Sequence, residues 1–238
     1  MVMSNERIDT ILRRIRERGT FGTICRFRYD LDVATEMNVI TEIGKMRTPA
    51  FTIDNHNRFT YENIIKWLIG DKTAMALNPE TKEPQPADFK AGIYIAGNTG
   101  SGKSWCLDII AEYSSINAFK VSFGDATGVL NWHNIRADVI ADRFQETGTI
   151  PFKDSKEIGI QDIGCEPVES VYMGNRVNVI RQLLEFRGDL SDALTFATSN
   201  MSWNNPAMKE RYGDRVLSRF HEMFNYYEIK GVDRRKNK

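Results

Sequence analysis

The sequence predicts an α/β sandwich in which a central parallel sheet of five strands carries helices on both faces. Three observations point there. From residue 91 onward, short apolar runs alternate with stretches of helical periodicity, the pattern of strand–helix–strand crossovers. A glycine-rich octet, "GNTGSGKS" at 97–104, lies between the first such run and the first such helix. The length of 238 residues suits one α/β domain with a modest extension.

Taken in order, "NERIDTILRRIRER" at 5–18 places Ile8, Ile11, Leu12 and Ile15 on one helical face, with Ser4 to cap it and Gly19 to end it. Its other face carries five arginines (Arg7, Arg13, Arg14, Arg16, Arg18), which suit either a solvated surface helix or a docking helix for a partner protein. A second helical pattern covers 61–71, with Ile64, Ile65, Leu68 and Ile69 on one side. The three prolines of 78–90 mark a loop. The predicted strands are 91–97, 119–123, 157–161, 193–199 and 224–230. Helices are expected from Lys103 to about Ile116, then over 132–146, 175–187 and 206–222. The closing "RRKNK" is expected to be a frayed tail.

Bulk properties exclude several classes. Lys+Arg and Asp+Glu both total 32, so the chain is no general nucleic-acid binder and any such contact must come from local patches. Three dispersed cysteines, Cys25, Cys106 and Cys165, argue for a reducing compartment and against a disulfide framework or a zinc site. No apolar run approaches the roughly 18 residues that span a bilayer. The expected location is cytoplasmic, without membrane contact.

The octet fits the G-x-x-x-x-G-K-[ST] pattern in its proper strand–loop–helix context. Gly100 and Gly102 let backbone N–H groups turn onto a phosphate, with the positive end of the helix behind them. Lys103 supplies a cation for the β/γ oxygens, and the Ser104 hydroxyl can ligate Mg²⁺. Gly97, Asn98, Thr99, Ser101 and Trp105 complete the expected nucleotide-binding stretch, and the motif alone fits a small-molecule kinase, a GTPase, a motor or a switch. Such a site draws its remaining parts from the carboxyl ends of the strands. Asp162 ends the third strand, as a metal or water-orienting carboxylate. Asn200 ends the fourth, either to reach a γ-phosphate or to open the turn-rich "SNMSWNNP". Arg215 and Arg219, four apart, share a helical face and are either surface arginines or a finger for a neighbour's site.

From the octet onward the chain resembles the DnaC/IstB-like helicase-loader family of AAA+ P-loop ATPases. The matching residues are "GNTGSGKS", "QDIGCEP" against that family's D-D-h-G-x-E pattern, "TSN" for its sensor strand and "YGDRVLSRF" for its arginine-finger segment. The resemblance covers about residues 50–238. It implies an ATP-binding domain over 51–238 with no C-terminal helical lid, and a partner-binding extension over 1–50. It also implies ATP with Mg²⁺ as ligands, Asn200 as sensor, and Arg219 as the finger acting across a self-associated composite site, with Arg215 in support. The expected partners are a replicative ring helicase and single-stranded DNA, the latter near 132–146, where Trp132, Arg136 and Arg143 offer stacking and charge. A core-packing role for that helix stands beside it.

In that alignment Gln161 falls at the metal-coordinating acid and Asp162 at the catalytic one. A neutral Gln can still accept from a metal-bound water, so the resemblance implies ATP binding with slow hydrolysis. Gln161→Asp is then expected to raise the rate. A shifted register instead gives Asp162 the metal role, with Glu166 as base. An IstB-like transposition helper, a non-hydrolysing ATP-dependent scaffold and, lowest, a small-molecule kinase remain the alternatives.

Overall fold

The structure, a computed structural model, describes residues 2–17, 24–124, 126–231 and 233–234, without the side chains of 2–6 and 15–17. The N-terminal part comprises α1 (Val2–Glu17), β1 (Ile24–Arg26), α2 (Val33–Arg47), α3 (Arg58–Leu68) and the antiparallel pair β2 (Met75–Leu77) and β3 (Pro84–Pro86). Then come β4 (Gly92–Ala96), α4 (Lys103–Asn117), β5 (Lys120–Phe123), β6 (Ala126–Val129), β7 (Asn134–Arg136) and α5 (Ala137–Thr147). The chain continues through β8 (Glu157–Ile163), the hairpin β9 (Ser170–Tyr172) and β10 (Asn175–Val177), α6 (Val179–Gly188), β11 (Leu194–Ser199), α7 (Pro206–Met223) and β12 (Phe224–Glu228).

The central sheet runs β3-β2-β12-β4-β11-β8-β7. Its strands from β12 to β7 are mutually parallel, and the β2–β3 hairpin adds antiparallel strands at one edge. Side-chain alternation splits the core between the two faces. Ile93, Ile95 and Phe196 pack with Ile40 of α2, Ile64 of α3 and Leu107 of α4. Tyr94, Ala197 and Ile160 pack with Ile140 of α5, Leu183 of α6 and Phe220 of α7. This is the three-layer P-loop sandwich expected from the sequence, with the glycine loop at the carboxyl end of a central strand.

Helix starts follow local chemistry. Asp32, Asn178 and Asn205 each accept a backbone N–H of the first turn, and Pro206 opens α7, where no N–H is needed. Helix α7 bends at Gly213, whose φ of 80° other residues adopt at a cost.

Several expectations are corrected. Residues 119–123 do form a strand, but outside the parallel sheet. Gly124 turns the chain back, so β5 pairs antiparallel with β6 and with β1. The parallel strand after α4 is instead Asn134–Arg136, inside the stretch expected to be helical; three residues are too few for periodicity to register. The Pro-rich 78–90 loop contains β3, and proline is tolerated there because β3 is an edge strand. Residues 175–177 belong to a hairpin, and α6 starts only at Val179. Ser4 lies inside α1 rather than before it, and the proposed stop at Gly19 lies outside the described residues. Helix α2 was not anticipated; its Met37 and Ile40 join the core that α3 and α4 share, and Tyr113 of α4 donates to Glu36 at 2.7 Å. Among the described residues no α-helix follows β12, and none is long and apolar enough to cross a membrane.

A candidate nucleotide site at the carboxyl edge of the sheet

Strand β4 delivers the chain into the glycine loop and α4 takes it away. Gly100 and Gly102 adopt φ of 77° and 100°, the left-handed region that an L side chain resists. The loop is also crowded. A Cβ on Gly97 would collide with the Ile229 carbonyl, and one on Gly100 with the Asp233 carboxylate. Asn98 and Thr99 are exposed, while the Ser101 hydroxyl is buried without a partner. The conformation at Gly100 and Gly102 and the space at Gly97 and Gly100 therefore call for glycine. The donor set, N–H groups beside a lysine at a helix start, suits a phosphate chain.

Lys103 is 4% exposed, and its Nζ donates to Asn98 O at 3.0 Å and to Asn200 Oδ1 at 2.7 Å. The sequence-predicted sensor and the loop lysine are therefore in contact, although 97 residues separate them. Asn200 also donates from Nδ2 to Cys165 Sγ at 3.4 Å. Burial, then the carboxylates of Asp162 and Glu166, push the Cys165 thiol pKa up, so the group beside Asn200 is a neutral thiol. A cavity of about 290 Å³ opens beside the loop, lined by Asn98, Asn200, Ser202, Tyr226, Glu228 and Lys230.

The end of β8 is bulged. Ala197 pairs with Ile160 and Ser199 with Ile163, so one residue too many stands at Gln161–Asp162. Asp162 takes up the irregularity at φ 59°, its N–H held by Thr198 Oγ1 at 3.0 Å. Gln161 is the residue that meets α4: its Nε2 donates to Asp108 Oδ1 at 2.6 Å and, more weakly, to Ser104 O at 3.4 Å. Asp162 lies instead in the electrostatic neighbourhood of Cys165 and Arg136. Glu166 does not fit the role of base that the shifted register requires. It is buried, and it accepts from Gly164 N, Tyr212 Oη and Arg211 Nε, fastening α7 to the end of β8.

Trp105 stands 37% exposed on the first turn of α4, with the Arg47 guanidinium 5.1 Å over its ring. Arg215 and Arg219 sit far from the loop. Helix α7 leaves the carboxyl edge after β11 and ends where β12 begins, at the amino edge. There Arg219 pairs with Asp189 at 2.7 Å and Arg215 approaches the same carboxylate at 3.7 Å. Trp132 is not available for stacking on a base: it is 3% exposed and lies parallel to Phe196 with 3.9 Å between ring centroids. Arg136 and Arg143 are exposed; Arg136 is paired with Asp138 and Arg143 lies over Phe152.

Three residues near the loop escaped the sequence reading. Asp108 belongs to none of the motifs read from the sequence. Cys165 gave no pattern. Arg234, first residue of the supposed frayed tail, donates its N–H to Gly100 O at 3.0 Å and its Nη2 to Asp54 at 2.7 Å; residues 235–238 lie outside the described residues.

No family model matches the sequence, and no curated protein matches it. Among solved structures the chain is similar to AMPPCP-bound DnaA from Aquifex aeolicus, at 19% identity and a TM-score of 0.45, over 79% of this chain and 50% of that one. The chain thus matches about half the length of that protein.

Proposed function

We propose that this chain is an ATP-binding protein of the AAA+ helicase-loader type, which delivers a ring helicase to single-stranded DNA and hydrolyses ATP slowly. The observation that carries the nucleotide reading is the Lys103–Asn200 contact, which ties the glycine loop to the end of the neighbouring parallel strand. A γ-phosphate on Lys103 would lie beside Asn200, the arrangement a sensor requires. The loop backbone and Lys103 would hold the triphosphate, and Ser104 would hold its Mg²⁺ with help from the end of β8. The metal supplies charge neutralisation on the phosphate oxygens. A neutral Gln161 beside that position supports slow turnover. The same residue favours a second reading, a non-hydrolysing ATP-gated scaffold, which single-turnover hydrolysis distinguishes.

Two further features support the loader reading. On α1, Ile8, Ile11 and Leu12 are 51%, 46% and 44% exposed, so an apolar stripe faces outward among the described residues. The chain lacking residues 1–17 should keep ATP-analogue binding and lose the replicative helicase in a pull-down. Equal capture by the truncated protein would place the partner surface elsewhere.

Arg219 lies at the amino edge, paired with Asp189, so a finger role there is one for a neighbour's phosphates in a self-associated composite site. Arg219→Ala should spare ATP binding and cut turnover about 10³-fold. Mixing it with Lys103→Ala subunits should recover part of the activity, because one interface then joins an intact loop to an intact arginine. No recovery over a range of mixing ratios would remove Arg219 from that role.

A further inference from the structure

We propose that Asp108 is the positioning residue of the metal side of the site: its carboxylate orients the Gln161 amide so that Oε1 is presented to the Mg²⁺ water shell. This rests on the ATP-binding reading above. Both partners of Gln161 Nε2, the Asp108 carboxylate and the Ser104 carbonyl, are acceptors only. The amide therefore has a single orientation, NH₂ toward α4. Its carbonyl is left as the acceptor, and no protein donor reaches Oε1 among the described residues. Asp108 is itself held in place. Asn134 Nδ2 donates to the same Oδ1 at 2.9 Å, and Arg47 Nη1 pairs with Oδ2 at 2.6 Å. Residues 104 and 108 are one helical turn apart, so the carboxylate lies on the same side of α4 as the predicted metal ligand Ser104.

The pair has the character of an exchange. The strand end carries an amide where the motif calls for an acid, and an acid stands on the helix facing it. An acid introduced at 161 alone would meet Asp108 across this contact, and like charges in contact resist joint ionisation. The gain expected for Gln161→Asp on sequence grounds therefore requires Asp108→Asn beside it.

The test is the affinity of a fluorescent ATP analogue with and without Mg²⁺, alongside thermal melting, for the wild type, Asp108→Ala, Gln161→Leu, their double variant, the reversed pair Gln161→Glu/Asp108→Asn, and Arg47→Ala. Asp108→Ala, which removes the acceptor that orients the Gln161 amide, should reduce the tightening by Mg²⁺ about tenfold and leave the Mg²⁺-free affinity in place. Gln161→Leu should do the same, and the double variant should lose no more than either single one, because both act through one contact. The reversed pair, which rebuilds the hydrogen bond with donor and acceptor exchanged, should recover the tightening. Additive losses, or full tightening in Gln161→Leu, would overturn the proposal, and the latter decides even if Asp108→Ala does not fold. Arg47→Ala loosens the hold on Asp108 but keeps the Gln161 contact, so its loss should be smaller than that of Asp108→Ala; a larger loss would move the effect to the tie between α2 and α4 and overturn the proposal. A wild type that binds no analogue would instead refute the ATP-binding reading, and this inference with it.

Discussion

Lys103→Ala should weaken binding of a fluorescent ATP analogue by about 100-fold or more, the equivalent of two charge-assisted hydrogen bonds. Lys103 is 4% exposed and its ammonium is already directed to the loop carbonyl of Asn98 and to Asn200, so the cation is in place before any ligand arrives. Its removal leaves the loop backbone donors but takes away the one side chain that the motif aims at the β/γ oxygens. Thermal melting, run beside the binding assay, reports whether the variant still folds. A cooperative melt with wild-type analogue affinity would refute the phosphate-loop reading.

Trp132→Ala should destabilise the protein by about 3–5 kcal/mol, the usual cost of removing a large buried aromatic. The indole stacks on Phe196 of a central strand, and its Nε1 donates at 3.0 Å to Oδ1 of Asn134, the first residue of the edge strand β7. Arg136→Ala/Arg143→Ala, by contrast, removes exposed cations and should leave the melting midpoint nearly unchanged. If α5 faces single-stranded DNA, the double arginine variant should weaken that binding and flatten its salt dependence. An unaltered midpoint in Trp132→Ala would show that the ring is not core. Unaltered DNA affinity in the arginine pair would direct the search for a DNA surface away from α5.

The parts of the fold legible in the sequence are those with a strong local code. The loop at 97–104, the runs that became β4, β8, β11 and β12, and the helices α3, α4 and α7 all carry long apolar periodicity or a turn signature. The misplaced parts are short or depend on distant partners. Strand β7 has three residues and owes its existence to pairing with β8. Strand β5 has an ordinary strand sequence; which sheet it joins depends on the turn at Gly124 and on β1, nearly 100 residues earlier.

The same division runs through the site. Residue types and their order were enough to single out the loop with Lys103 and Ser104, because glycines, a cation and a hydroxyl at set spacings form a signature on one contiguous stretch; Asn200 stood out only through its place at a strand end and through the family resemblance. They were enough, too, to expose Gln161 as an anomaly. No reading of the chain could show that Gln161 faces α4 while Asp162 neighbours Cys165 and Arg136, since that follows from a bulge defined by β11. Nor could it show that Glu166 is consumed by Arg211 and Tyr212, that Trp132 is core, or that Asp108 stands opposite Gln161. Spacing along a helix or strand assigns a residue to a face, but what that face meets is set by the packing of elements remote in sequence.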